Sequence, residues 1–224
     1  MLNIMEALKN RLIALLLKKS FKYSDNPPFT LVSGRTSFYY FNCKPTMCNP
    51  EGKELIGRMI FELVRGQGIE VCGGLALGSV PISGAVSLIS QLEGEPIAEF
   101  IVRKEVKDHG DIAKVEGDMK SGQKVVVLDD VITTGGSTIT AIAAAINAGM
   151  IVTKVVVIVD RQEGGREKIL EEYPGISLEA LVLRDEVMSL YKNSKKDVTT
   201  SQLSEGEKFD RLKVERFLDG MFPR

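Results

Sequence analysis

The chain has 224 residues, 44% hydrophobic and 26% charged, with 29 basic and 30 acidic side chains and a formal net charge of −1. That composition excludes a disordered chain, and the length predicts one globular domain with at most a small appendage. The neutral balance removes any global charge argument for nucleic-acid or membrane partners, while leaving room for a local basic patch that binds phosphate. No apolar run approaches the roughly 18 residues of a spanning helix. Asn3, Glu6 and Lys9 interrupt the start where a signal peptide would be continuous, so a cytoplasmic protein is expected. Cys43, Cys48 and Cys72 lack C-x-x-C spacing, and His109 is the single histidine. Neither a disulfide framework nor a zinc site is indicated, and the thiols are expected to be small apolar fillers.

In chain order, residues 2–19 carry Leu2, Met5, Leu8, Leu12, Leu15 and Leu16 at helical spacing, which predicts an amphipathic opening helix. Residues 24–36 hold the turn formers Asp25-Asn26-Pro27-Pro28 and Ser33-Gly34-Arg35, and 38–41 predicts a short aromatic strand. Strand and helix then alternate: a helix over 50–66, an apolar strand over 69–72, a glycine-rich turn, and a helix over 81–92. Further strands are predicted over 97–102, 125–128 and 155–159, each apolar on successive residues, as in strands buried on both faces. A crossover helix over 138–148 ends at Gly149. These runs predict a parallel sheet covered by helices. Residues 103–122 break the pattern as a long charged loop, expected to be a lid. Residues 192–208 are polar and expected to be loose, with a last short helix over 209–222.

The most informative stretch runs from Val125 through Leu128, Asp129, Asp130, Val131, Ile132, Thr133, Thr134, Gly135 and Gly136 to Ser137 and Thr138. An apolar strand enters two carboxylates, then a turn of hydroxyls and glycines that opens a helix. Backbone N–H groups at a helix N-terminus form a phosphate site. Adjacent acids would repel that phosphate unless they accept hydrogen bonds from neutral hydroxyls, and the vicinal hydroxyls of a ribose meet that requirement. A ribose 5-phosphate site follows. The dinucleotide fingerprint is absent, and Gly73 to Gly78 has P-loop spacing but continues with Ser79-Val80 instead of Lys-Ser/Thr. A merely capped strand-to-helix turn would also use Asp and Thr, but it leaves most of these residues unexplained.

This stretch resembles the phosphoribosyl-diphosphate signature of type I phosphoribosyltransferases. Two more segments are similar to the orotate phosphoribosyltransferase family. Arg103-Lys104-Glu105-Val106-Lys107-Asp108-His109-Gly110 resembles its mobile catalytic loop, and residues 29–40 resemble its N-terminal orotate-side loop. Asp160-Arg161-Gln162-Glu163 matches as well. The resemblance implies a type I phosphoribosyltransferase α/β fold, a central parallel sheet flanked by helices with a small N-terminal hood. It divides the chain into a hood over 1–48, a core over 49–192 and a polar extension over 193–224.

The activity implied is Mg²⁺-dependent transfer of ribose 5-phosphate from phosphoribosyl diphosphate to orotate, a step of pyrimidine nucleotide synthesis. Asp129 and Asp130 would hold the ribose hydroxyls, the turn Thr133, Thr134, Gly135, Gly136 and Ser137 would hold the 5-phosphate, and Val131 and Ile132 would complete the phosphoribosyl-diphosphate site. Thr133, Arg161, Tyr40 and Phe41 would face orotate, the planar guanidinium suiting its carboxylate. Ala76, Leu77, Gly78 and Ser79 would form the diphosphate loop. Arg103, Lys104, Lys107 and His109 would neutralise the leaving diphosphate, with Lys107 catalytic. Mg²⁺ would be held mainly by the substrate, with no direct protein ligand expected. A homodimer whose loop acts in the partner's site is implied by resemblance alone. Val32 and Gly78 stand where some members carry lysines, each lost charge-assisted hydrogen bond costing roughly 1.5–3 kcal/mol unless replaced. The alternatives are a phosphoribosyltransferase for a purine base, or a non-catalytic regulator that senses phosphoribosyl diphosphate, although no DNA-reading module is visible.

Overall fold

The computed structural model describes residues 2–24, 26, 28–30, 36–103 and 115–200. Lys104, Lys107, His109, Val32 and the expected helix over 209–222 lie outside the described residues. Helix α1 (Leu2–Lys19) is followed by four short strands, β1 (Phe21–Tyr23), β2 (Phe29–Thr30), β3 (Thr36–Ser37) and β4 (Tyr39–Phe41). β1 pairs antiparallel with β4, placing Phe21 opposite Phe41, and β2 pairs with β3. A single turn, α2 (Lys44–Met47), precedes α3 (Pro50–Val64). The Asn49 side chain accepts the Gly52 N–H at 3.2 Å and Pro50 opens the first turn, so α3 starts where a cap and a proline dictate.

The core alternates β5 (Val71–Leu75), α4 (Val80–Leu92), β6 (Ala98–Val102), β7 (Val115–Gly117), β8 (Lys124–Ile132), α5 (Gly136–Asn147), β9 (Ile151–Asp160), α6 (Gly165–Glu172), β10 (Ser177–Leu183) and α7 (Arg184–Thr200). The strands form one six-stranded sheet in the order β10-β9-β8-β5-β6-β7, parallel except for β7. Strand alternation sends Val126 and Leu128 of β8 into a core shared with α1, α3, α4 and α7, and Val125 and Val127 into the opposite core with α5 and α6. Both faces are buried, which is why the strands read as unbroken valine and isoleucine runs. Each fully buried aliphatic side chain contributes about 1.5–3 kcal/mol over exposure.

Several expectations are corrected. Gly73 and Gly74 belong to β5 rather than to a turn, because a Cβ at either would collide with the carbonyl oxygens of Phe100 and Leu128 on the neighbouring strands. The loop over 103–122 contains β7, whose Val115 packs against the sheet core. Residues 192–200 are helical rather than loose. Val187, Tyr191 and Ser194 repeat at helical spacing, and the Tyr191 ring lies 5.3 Å from Phe21 and 5.2 Å from Tyr23. The division expected at 192/193 therefore falls inside α7. Cys43 and Cys72 are buried as expected, but Cys48, at the C-cap of α2, is exposed.

Candidate active site

β8 does not stop before its acids. It stays paired with β9 as far as Ile132, opposite Asp160, so Asp129 and Asp130 sit in extended backbone at the strand's carboxyl end. Asp129 is buried and held on both oxygens: the Asp130 N–H donates to Oδ1 at 2.9 Å, and the Thr138 hydroxyl to Oδ2 at 2.7 Å. Burial, then the neighbouring Asp130 charge, pushes its carboxyl up to about 7 against the pull of those two hydrogen bonds. Asp130 accepts the Val131 N–H at 3.1 Å and is half-buried, so it is the more accessible of the pair.

The turn over 133–135 leads into α5, whose first N–H groups point out of the helix start without intrahelical acceptors. Thr134, Gly136 and Ser137 are exposed around that start, and Thr133 is half-buried. Ile132 is buried and Val131 half-buried, and both remain in β8 paired with β9, opposite Asp160 and Val159 respectively. Gly135 has φ 79°, in the left-handed region, and its missing Cβ would lie 2.9 Å from the Gly165 carbonyl oxygen. At Gly165, the start of α6, a Cβ would likewise collide, lying 2.5 Å from an Ile132 methyl, 2.7 Å from the Thr133 carbonyl oxygen and 2.8 Å from the Gly135 nitrogen. Gly165 thus backs the turn over 133–135, a role that no local motif announces.

The expected diphosphate loop lies directly above the acids. A Cβ at Gly78 would sit 2.9 Å from Asp130 Oδ1 and 3.3 Å from Asp129 Oδ1. Ala76 donates its N–H to the Val102 carbonyl at 2.8 Å, and Ser79 its N–H and hydroxyl to Leu75 at 3.2 and 3.1 Å. The Leu77 and Gly78 amides have no acceptor among the described residues, so the loop's anion-binding capacity falls on those two. Of the cations expected to meet the diphosphate, Arg103 is described, paired with Glu116 of β7 at 3.2 Å.

On the other side, the β8–β9 register brings Arg161 to the end of β8: its backbone N–H donates to the Ile132 carbonyl at 3.0 Å. The Arg161 side chain is buried at 5% exposure, 5.2 Å over the Tyr39 ring. Its Nη2 stands 2.8 Å from Glu163 Oε1, yet out of line for a hydrogen bond, and its Nε and Nη2 have no hydrogen-bond partner among the described residues. A buried guanidinium with unfilled donors fits a planar anion. Tyr40 and Phe41 alternate on β4: Tyr40 is exposed beside Phe29, whereas Phe41 is buried against Phe21 and Tyr39. Phe41 therefore supports the aromatic corner from beneath, and Tyr40 is the ring open to a base. Thr138, Tyr39 and Arg184 also belong to this site; Tyr39 stands beside Tyr40 in the segment that resembles the orotate-side loop, whereas Arg184 lies outside every motif and is joined to Tyr39 by the fold.

Known proteins share this architecture. The Phosphoribosyl transferase domain family matches residues 49–182. Orotate phosphoribosyltransferase of Aquifex aeolicus is 42% identical over 180 residues, covering 80% of this chain and 97% of that protein. Orotate phosphoribosyltransferase of Mycobacterium tuberculosis H37Rv, in a crystal structure with Fe(III) dicitrate, is 33% identical with a TM-score of 0.68, covering 80% of this chain and 98% of that one. The same enzyme in complex with 5-phospho-alpha-D-ribosyl 1-diphosphate superimposes with a TM-score of 0.63 at 28% identity, covering 80% and 91% of the two chains. The acid pair, the glycine-backed turn and the buried arginine stand within a matched fold, and the chain belongs to the phosphoribosyltransferase family, among the orotate phosphoribosyltransferases.

Proposed function

We infer that the chain catalyses transfer of ribose 5-phosphate from phosphoribosyl diphosphate to orotate, giving orotidine 5′-monophosphate and diphosphate. The observation that carries the choice of base is Arg161, a buried cation with unfilled donors at the end of β9, beside the strand that bears the acid pair. The α5 start holds the 5-phosphate, Asp130 and, beneath it, Asp129 accept the ribose hydroxyls, and the Leu77 and Gly78 amides receive the diphosphate. The C1–oxygen bond to diphosphate breaks as the C1–nitrogen bond to the base forms, through an oxocarbenium-like ribose, and the proton of that nitrogen is released with the diphosphate. Acids near the sugar suit that positive charge, and the cations Arg103, Lys104, Lys107 and His109 suit the departing anion.

Among the described residues no three His, Cys, Asp or Glu side chains gather to cage a metal. The donor set present, one accessible carboxylate beside a second that is buried, suits Mg²⁺ brought in on substrate oxygens. Such an ion supplies charge neutralisation of the diphosphate. A homodimer, with the loop over 103–110 reaching the partner's site, is supported by family resemblance and by the exposed Leu88 and Leu92 on α4 and Ile4 on α1. No described helix is long and apolar enough to cross a membrane. Water-soluble, charged substrates and a place in pyrimidine nucleotide synthesis support a cytoplasmic setting. An absorbance assay with Mg²⁺ and phosphoribosyl diphosphate tests the reading: orotate is consumed, and uracil, hypoxanthine and adenine are not. Preferred use of a purine would overturn it.

A further inference from the structure

Arg161 is not alone in its pocket. Glu163 Oε1 lies 2.8 Å from Arg161 Nη2 and also accepts the Tyr39 hydroxyl at 3.0 Å. Arg184, from the start of α7, donates to that same Tyr39 oxygen at 3.3 Å, and its guanidinium carbon lies 5.8 Å from the Tyr39 ring centre. Asp185 in turn receives Arg184 Nε at 2.9 Å. The Glu163 carboxylate is thus shared between a buried guanidinium, with which it is poorly aligned, and a hydroxyl polarised by a second guanidinium. Glu163 balances the charge of Arg161 without filling the donors that a planar carboxylate would use.

Building on the assignment of Arg161 to orotate, we propose that Glu163 is a specificity-determining residue: a resident carboxylate that neutralises Arg161 while the site is empty and cedes it to the substrate's carboxylate. Tyr39 and Arg184 are positioning residues that hold Glu163 as it yields. A burial cost that Arg161 would otherwise meet as a naked cation is removed by Glu163. The incoming anion must then outcompete an internal one. Orotate succeeds because Nε and Nη2, without hydrogen-bond partners among the described residues, can pair side by side with its planar carboxylate once Glu163 yields, whereas an anion without the pyrimidine's other contacts does not displace it. The Tyr39 hydroxyl draws on the same Oε1 that faces Arg161, so without it that oxygen pairs more strongly with the guanidinium, and the exchange becomes harder.

The two substitutions therefore act in opposite directions. Glu163→Gln removes the competitor: the KM for orotate falls about tenfold with kcat changed less than about twofold, and benzoate becomes a competitive inhibitor against orotate. Tyr39→Phe strengthens the competitor: the KM for orotate rises about fivefold while that for phosphoribosyl diphosphate is unchanged. A network that merely braces the pocket would raise the orotate KM in both. A KM that rises or stays constant in Glu163→Gln overturns the proposal. If Glu163→Gln does not fold, as judged by circular dichroism, Tyr39→Phe decides alone, and an unaltered or lowered orotate KM overturns it. Absence of orotate turnover in the unsubstituted chain would defeat the proposed function, and this inference with it, whereas turnover with same-signed responses would defeat this inference only.

Discussion

Replacing Asp129 by Asn should make the ligand-free protein more stable at pH 8 and leave it nearly unchanged at pH 4. The Asp129 carboxyl is raised from its ordinary 3.8 to about 7, first by burial and then by the Asp130 charge. Between those values the folded chain holds a proton that the unfolded chain has lost, so the stability tied to Asp129 is fully present below about pH 4 and is lost as pH rises through about 7. A carboxyl raised that far corresponds to about 4 kcal/mol, an upper bound because local relaxation and water relieve part of the burial penalty. A gain of about 1–3 kcal/mol is expected above pH 7.5. Asn keeps the packing: its carbonyl oxygen can accept the Asp130 N–H, and its amide can donate to the Thr138 hydroxyl. Urea denaturation of both proteins at pH 4, 6 and 8 measures the difference. A stability difference that does not grow with pH would refute the assignment of a raised carboxyl. The same variant should lose most turnover, so stability and activity change in opposite senses, as expected where an active site stores a cost.

Gly135→Ala places a side chain at φ 79° and against the Gly165 carbonyl oxygen. It should cost about 1–2 kcal/mol from the backbone alone and raise the KM for phosphoribosyl diphosphate, read by thermal denaturation and steady-state kinetics. Arg161→Ala should raise the orotate KM roughly 10- to 150-fold, the equivalent of one or two charge-assisted hydrogen bonds, with a much smaller effect on the other substrate. An unchanged orotate KM would remove the argument for this base. Lys107→Ala should fold and bind phosphoribosyl diphosphate normally while kcat falls about 10²- to 10³-fold, because the charge is needed only as diphosphate departs. Single-turnover kinetics separates the two steps.

The strands of the core were legible because burial on both faces leaves no room for polar alternation in β8 and β9. The acid pair and the hydroxyl- and glycine-rich turn after it were legible because Asp129, Asp130, Thr133, Thr134, Gly135 and Gly136 lie close together in one short run. Gly73 and Gly74 misled because glycine marks both turns and close strand contacts, and only the positions of Phe100 and Leu128 distinguish them. The helix over 192–200 was hidden by its polar surface, since the stripe formed by Val187, Tyr191 and Ser194 has meaning only against the hood strands. For the same reason Arg184 gave no sign of its place beside Tyr39, a residue 145 positions away. Phe41 and Tyr40 read alike as aromatic residues, and the pleat of β4 separates the buried one from the open one. Local chemistry, in short runs, was visible in the sequence; chemistry assembled across elements was not.

The central claim is that one site joins ribose 5-phosphate to a carboxylated pyrimidine as diphosphate leaves. Phosphorus nuclear magnetic resonance of the protein mixed with Mg²⁺, phosphoribosyl diphosphate and orotate tests it directly. The signals of diphosphate and of orotidine 5′-monophosphate should grow together in equal amounts, and neither should grow when orotate is replaced by uracil. Diphosphate released without the nucleotide, or a substrate left intact in the presence of orotate, would contradict the account.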